Sequence, residues 1–143
     1  MNRVFRRLAA QKVSGRTTAL THRLAALLLE YPSAELLDLL PAIRSATAEL
    51  PERLAVPLGQ LVEHLSSAPL PELEAAYVET FDLKRRCSPY LTYFAYGDTR
   101  KRGVALVEFK QAYRAGGFEV VEDELPDHLA VVLEFCSTGD AEC

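Results

Sequence analysis

Leucines at helical spacing, cut at intervals by proline and glycine, constrain this chain more than any other feature. Leu20, Leu24, Leu27, Leu28 and Tyr31 recur at i, i+4, i+7, i+8 and i+11, and Pro32 follows at once. Such a series is the apolar stripe of one helix, ended by a residue that lacks an N–H and restricts the residue before it. The spacing predicts this helix over 17–31. Ser33 is placed to cap a second helix, with Glu35 in its first turn and Leu36, Leu37, Leu40 and Ile43 inward. Pro41 should kink or break that helix. Leu54, Leu58, Leu61 and Leu65 form a third stripe, whose main helix is expected to open at Pro57, since proline sits best in a first turn.

From Pro71 onward, Leu73, Tyr77 and Phe81 fall on one stripe of a fourth helix. Lys84-Arg85-Arg86-Cys87-Ser88 reads as a basic loop. Ser88-Pro89 reads as the start of a short aromatic helix through Tyr96, closed by Gly97. Asp98 is expected to cap a long helix over 99–115, with Arg102, Leu106, Phe109 and Tyr113 on one face and Gly116-Gly117 as a left-handed stop. Residues 118–121 have room for a brief extended piece. A last helix is expected from Pro126 or Asp127, with Leu129, Val132, Leu133 and Cys136 inward. No strand alternation of useful length interrupts the series. The expected fold is all-α, a bundle of six or seven helices. It comprises a basic extension over 1–16 and one helical domain over 17–143, of a size that holds a single core.

Charge narrows the function classes. Residues 1–16 hold Arg3, Arg6, Arg7, Lys12 and Arg16 and no acid, a net +5, whereas 17–143 hold 11 bases and 20 acids, a net −9. An acidic body repels phosphate backbones, so no nucleic-acid partner is expected, and it attracts basic peptides. The extension reads as a frayed tail or, with Val4, Phe5 and Leu8 beside its arginines, as a short amphipathic basic helix suited to a groove. Arg6-Arg7 lacks the apolar segment that an export signal needs. The longest apolar run, 24–29, falls far short of the ~20 residues that span a bilayer, so a cytoplasmic location without membrane insertion is expected.

No residue set suggests catalysis. Cys87, Cys136 and Cys143 form no CxxC pair and His22, His64 and His128 lie far apart, so no metal is expected. Neither P-loop nor GxGxxG occurs, and no cofactor is expected. Asp127-His128 is the one acid–histidine neighbour pair; its bland reading is a helix cap beside a half-buried packing residue. Two basic triplets, 84–86 and 100–102, read as solvated loop charge, or as an anion or cofactor contact through Arg100 and Arg102. Glu119, Glu122, Asp123, Glu124 and Asp127 form an acidic stretch. It suits a helix start through the macrodipole, and equally a partner's arginines.

In this order the motifs resemble a known family. Leu27-Leu28-Leu29-Glu30-Tyr31-Pro32, Tyr77-x-x-x-Phe81-Asp82, Gly97-Asp98-x-Arg100-x-Arg102-Gly103, Gly117, Glu124-Leu125-Pro126-Asp127-His128-Leu129 and Val132-Leu133-Glu134-Phe135 are similar to the NarJ-type redox-enzyme maturation chaperones of the TorD/DmsD superfamily. The likeness covers about residues 20–138, and its most specific part is the Glu-Leu-Pro-Asp-His-Leu run. It implies a TorD-like helical chaperone without enzymatic activity. Such a protein binds the N-terminal segment of the catalytic subunit of nitrate reductase and holds the apoenzyme during molybdenum cofactor and iron–sulfur insertion. The resemblance places Tyr77, Phe81, Asp127 and His128 around a peptide groove, to which Glu122, Asp123 and Glu124 add charge. It also implies further C-terminal helices that this chain lacks, so that an uncovered apolar stripe invites homodimer formation. A helical adaptor without a molybdoenzyme client, or a chaperone for another molybdoenzyme, would show much the same residues.

Overall fold

The computed structural model describes residues 15–121 and 124–138. Among them are seven α-helices: α1 (Gly15–Leu28), α2 (Ala34–Thr47), α3 (Glu52–Ser66), α4 (Leu70–Tyr77), α5 (Leu91–Tyr96), α6 (Arg100–Ala115) and α7 (Leu129–Cys136). No strand occurs among the described residues, only an isolated antiparallel bridge between Tyr90 and His128. The all-α bundle expected from the leucine stripes is therefore the fold observed.

The stripes close on one another in the first half of the chain. Leu24 and Leu28 of α1, Leu36, Leu40 and Ile43 of α2, Leu58, Val62 and Leu65 of α3, and Leu73 of α4 form one buried cluster with Leu50. At roughly 1.5–3 kcal/mol for each fully buried aliphatic side chain, this cluster is the main source of stability in the fold. Ser33 caps α2 as expected, its Oγ accepting from Leu36 N at 3.1 Å. Pro41 does not break α2, and α3 begins at Glu52 rather than at Pro57. Both prolines lie on exposed helix faces. There water can bond the carbonyl that each leaves unpaired, while the buried stripes keep the helices continuous.

The second half is organised by polar contacts. After α4 the chain widens into a π-helical turn over Val78–Asp82, closed by Leu83 N donating to Val78 O at 3.1 Å, and a 3₁₀ turn follows over Arg85–Cys87. Ser88-Pro89 does not open a helix. Pro89 O instead accepts from Leu129 N at 2.7 Å, and α5 starts only at Leu91. Thr99, not Asp98, occupies the position before α6; Asp98 accepts from Arg102 Nη1 at 3.4 Å. At the end of α6, Gly117 has φ +86°, with Phe118 N donating to Tyr113 O at 2.9 Å and Gly117 N to Arg114 O at 3.0 Å. This is the Schellman arrangement, and its left-handed position explains the second glycine of the pair. Gly116 is required for another reason: a Cβ there would stand 2.8 Å from Cε2 of Phe135. Helix α7 packs along α1, which brings the last described helix back over the first.

A candidate peptide-binding cleft

A cleft of about 930 Å³ opens where the two halves meet. Its walls come from the segment just after α1 (Glu30, Tyr31), the last residue of α4 and the π-helical turn (Tyr77, Asp82), the 89–90 segment, the end of α6 with 118–121, the 124–128 segment and α7. The floor is apolar and aromatic, and the charged rim is acidic.

Tyr77 is the central side chain. Its hydroxyl donates to Leu29 O at 2.9 Å, just past the end of α1, and its ring meets Tyr31 edge-on at 5.4 Å and Phe81 at 4.5 Å. Burial, then the nearby Asp82 carboxylate, pushes its pKa up to about 12, so the phenol stays protonated and the bond to Leu29 persists. Phe81 buttresses Tyr77 from behind and does not line the cleft. The π-helical turn displaces the residues that follow it around the helix axis. Asp82 lies in that turn and lines the cleft.

His128 stands at the start of α7 and its Nδ1 accepts from Ala130 N at 3.1 Å, capping that helix. Nδ1 is therefore unprotonated. Burial lowers the imidazole pKa, against the opposing pull of Glu124, Asp127 and Asp82. Its ring packs edge-on against Tyr90 at 5.1 Å. On the opposite wall, Tyr113 donates from its hydroxyl to Pro126 O at 2.5 Å and packs against Phe135 at 4.8 Å, while Phe118 meets Phe135 edge-on.

Asp127 differs from its expected place. It is 0% exposed and does not cap its own helix; that position belongs to His128. Its Oδ2 accepts from Thr92 N at 3.0 Å and from Thr92 Oγ1 at 2.5 Å, and its carbonyl accepts from Leu91 N at 3.2 Å. The carboxylate thus caps α5 from across the chain, where the helix dipole favours negative charge. Arg102 Nε donates to Thr92 Oγ1 at 3.2 Å, completing a chain Arg102–Thr92–Asp127. Arg102 and Arg85 both lie over the Tyr93 ring, at 5.4 and 5.5 Å, so the two basic triplets converge there. Arg100 is exposed.

Of the residues expected around a groove, Tyr77, Glu124 and His128 line this cleft; Phe81 and Asp127 support it from behind. Glu122 and Asp123 lie outside the described residues. Sequence reasoning missed Glu30, Tyr31, Asp82 and Glu134, which complete the rim. Glu30 feels it most: partial burial raises its pKa, followed by repulsion from Glu134, with Arg23 opposing and Glu124 adding to it. The cleft carries net negative charge over aromatic carbon: five carboxylates line it, and two of them, Glu134 and Glu119, meet Arg23 at 2.9 Å and Arg114 at 3.6 Å.

Comparisons place this geometry among known proteins. Residues 47–143 match the nitrate reductase delta subunit family. The nitrate reductase-like protein NarX of Mycobacterium tuberculosis H37Rv is 40% identical over 122 residues, 82% of this chain and 18% of NarX. NarJ of Escherichia coli K12, named a nitrate reductase molybdenum cofactor assembly chaperone, is 36% identical over 76% of this chain and 47% of its own length. The Bacillus subtilis NarJ counterpart is 35% identical over 80% of the chain and 63% of its length. The chain thus spans about half the length of the NarJ relatives and a small part of NarX. A candidate redox enzyme maturation protein from Archaeoglobus fulgidus superposes with a TM-score of 0.59 at 28% identity, covering 84% of this chain and 70% of that one. With its helical stripes, its Glu-Leu-Pro-Asp-His-Leu run at the cleft and these matches, the chain belongs to the nitrate reductase delta subunit family, the NarJ-type branch of the redox-enzyme maturation proteins.

Proposed function

We propose that this chain is a cytoplasmic maturation chaperone for a respiratory nitrate reductase, working by binding rather than by catalysis. It holds the N-terminal segment of the catalytic subunit while molybdenum cofactor and an iron–sulfur cluster enter the apoenzyme. One observation carries the reading: an aromatic floor built on Tyr77, Tyr90 and Phe135, rimmed by Glu30, Asp82, Glu119, Glu124 and Glu134. An amphipathic helix with flanking arginines or lysines fits such a surface, its apolar anchors on the aromatic rings and its cations on the carboxylates. The volume sits at the large end of small-ligand pockets and matches a few side chains of one helix face. The names of the NarJ relatives support the client.

Calorimetric titration of the full chain with the N-terminal peptide of the catalytic subunit tests this. Saturable binding is expected, weakened about tenfold or more by Glu124→Lys and by Tyr77→Ala, and weakened by salt, since rim charges are screened within about 10 Å at 0.1 M. Absence of binding by a protein whose helical circular dichroism is intact would overturn the reading.

A further inference from the structure

The cleft's charge has a counterpart within the same chain. Glu30, Asp82, Glu119, Glu124 and Glu134 line it, with no lysine or arginine among the lining residues. Burial raises the Glu30 pKa, and repulsion from two of them, Glu134 and Glu124, adds to it against the pull of Arg23. Residues 1–14 have the opposite character: Arg3, Arg6, Arg7 and Lys12, no acid, and Val4, Phe5 and Leu8 at helical spacing. They run directly into α1, which packs along α7, one wall of the cleft, and is tied to it by Arg23 Nη1 on Glu134 Oε1 at 2.9 Å.

Reach is sufficient. Gly15 is eight residues from Arg23, about 12 Å of helix. Extended, ten residues carry Phe5 to about 33 Å from Gly15 and seven carry Leu8 to about 23 Å, past the level of Arg23; a segment helical throughout would leave Leu8 about 10 Å away and short of it. The segment therefore has to turn back in extended form to enter the cleft beside Glu134.

We propose that residues 1–14 dock in the cleft of their own chain, Phe5 and Leu8 against the aromatic floor and the arginines on the acidic rim, as a built-in competitor. This rests on the reading of the cleft as a peptide site. A segment held nearby by its own backbone competes at high effective concentration. If it fills the cleft nine-tenths of the time, an external peptide binds about tenfold more weakly than to the vacant cleft. The consequence is selectivity, since only a ligand that outbids the segment is retained.

The test uses the full chain with a photo-crosslinking benzoylphenylalanine in place of Phe5. Irradiation should give a crosslink within one chain, mapped by mass spectrometry to peptides carrying Tyr77, Phe118 or Phe135, and lost in the Glu124→Lys background. In parallel, a full-length Arg3→Glu/Arg6→Glu/Arg7→Glu variant should bind a fluorescent peptide of residues 1–14 about tenfold tighter than the unaltered chain does. Crosslinks that map outside the cleft, crosslinks that join two chains, or equal affinity of the two proteins would each overturn the proposal. The two readings fail separately. If the reductase segment binds the cleft and the triple variant changes nothing, the competitor is refuted and the chaperone reading stands. If Phe5 crosslinks in the cleft but the reductase segment neither binds nor displaces it, the reverse holds.

Discussion

The two halves of this molecule are held by different physics. Helices α1–α4 close on a cluster of aliphatic side chains, with Leu73 and Val62 each 1% exposed. Helices α5–α7 contribute few fully buried apolar residues, Tyr113 and Ala130 among them, and are joined by Asp127 on Thr92, Tyr113 on Pro126 and Leu129 on Pro89. An apolar cluster resists deformation because every atom is packed, whereas a few hydrogen bonds define geometry at small net stability. The cleft lies where the firm half meets the latched half. This suits the proposed peptide site, because ligand-binding regions draw on the less stable parts of a fold.

The sharpest way to break this comparison is to damage each half once. Leu73→Ala should cost about 3–5 kcal/mol through lost transfer energy and a cavity, lowering the midpoint of urea unfolding for the whole chain. Asp127→Ala strands Thr92 N and Oγ1 and removes the anion facing Arg102, a cost of about 2–4 kcal/mol. Its effect should be local: hydrogen exchange should speed up in α5 and α7 while α1–α4 stay protected. Uniform loss of protection in both variants would show one cooperative unit and erase the distinction.

Next in size is Tyr113→Phe, which keeps the ring on Phe135 and leaves Pro126 O without its 2.5 Å partner. About 1–2 kcal/mol is expected, again confined to the latched half. Peptide affinity should fall further than the chain's midpoint would suggest, because Phe135, Leu125 and the 118–121 segment form that wall of the cleft. Unchanged peptide affinity would place the bond outside the site's support.

The pH dependence sharpens the contrast. The folded-state pKa of His128 is lowered by burial below its ordinary 6.5. The unfolded chain therefore binds the proton more readily, and stability rises with pH through this window. The contribution is complete above 6.5 and is lost as pH falls toward the folded value, when Nδ1 can no longer accept from Ala130 N. His128→Asn keeps a capping acceptor without the titration. Its drop in melting temperature between pH 7 and pH 5.5 should be smaller than that of the unaltered chain; an equal drop would remove His128 as the cause.

The two halves were also unequally legible. Aliphatic stripes are a one-dimensional signal, so the core of α1–α4 could be read from Leu20 to Leu73 with errors at the prolines and at helix boundaries: α1 stops at Leu28 rather than at 31, and α4 stops at Tyr77, where the π-helical turn takes over. The positions of Pro41 and Pro57 misled because proline preference is local, while solvent access to the freed carbonyl depends on which face is outward. Tyr77, Glu124 and His128 could be placed near one site because motifs resembling a known family carry them. Asp127 reads in the sequence as the cap of its own helix, and nothing in its neighbours indicates that its carboxylate accepts instead from Thr92, 35 residues earlier. Glu30, Asp82 and Glu134 come from three distant segments, and only the packing of α7 along α1 and the π-helical turn after α4 bring them together.

The smallest expected effect lies at that junction. Ionised Glu30 is disfavoured in the folded chain by partial burial and by the charges of Glu134 and Glu124. A carboxylate whose folded pKa is raised weakens the fold above that value, so Glu30→Gln should stabilise the chain at pH 7, and the gain should vanish as pH falls toward 4.5. Because the side chain is substantially exposed, solvent screens the repulsion and the gain should stay below about 0.5 kcal/mol. The same substitution should weaken binding of a cationic peptide about two- to fivefold, the size of one rim charge. Opposite signs for stability and affinity would mean that the fold retains an unfavourable carboxylate because a ligand's cation relieves it. A loss of both would instead assign Glu30 a bond within the fold, and would return it to the firm half.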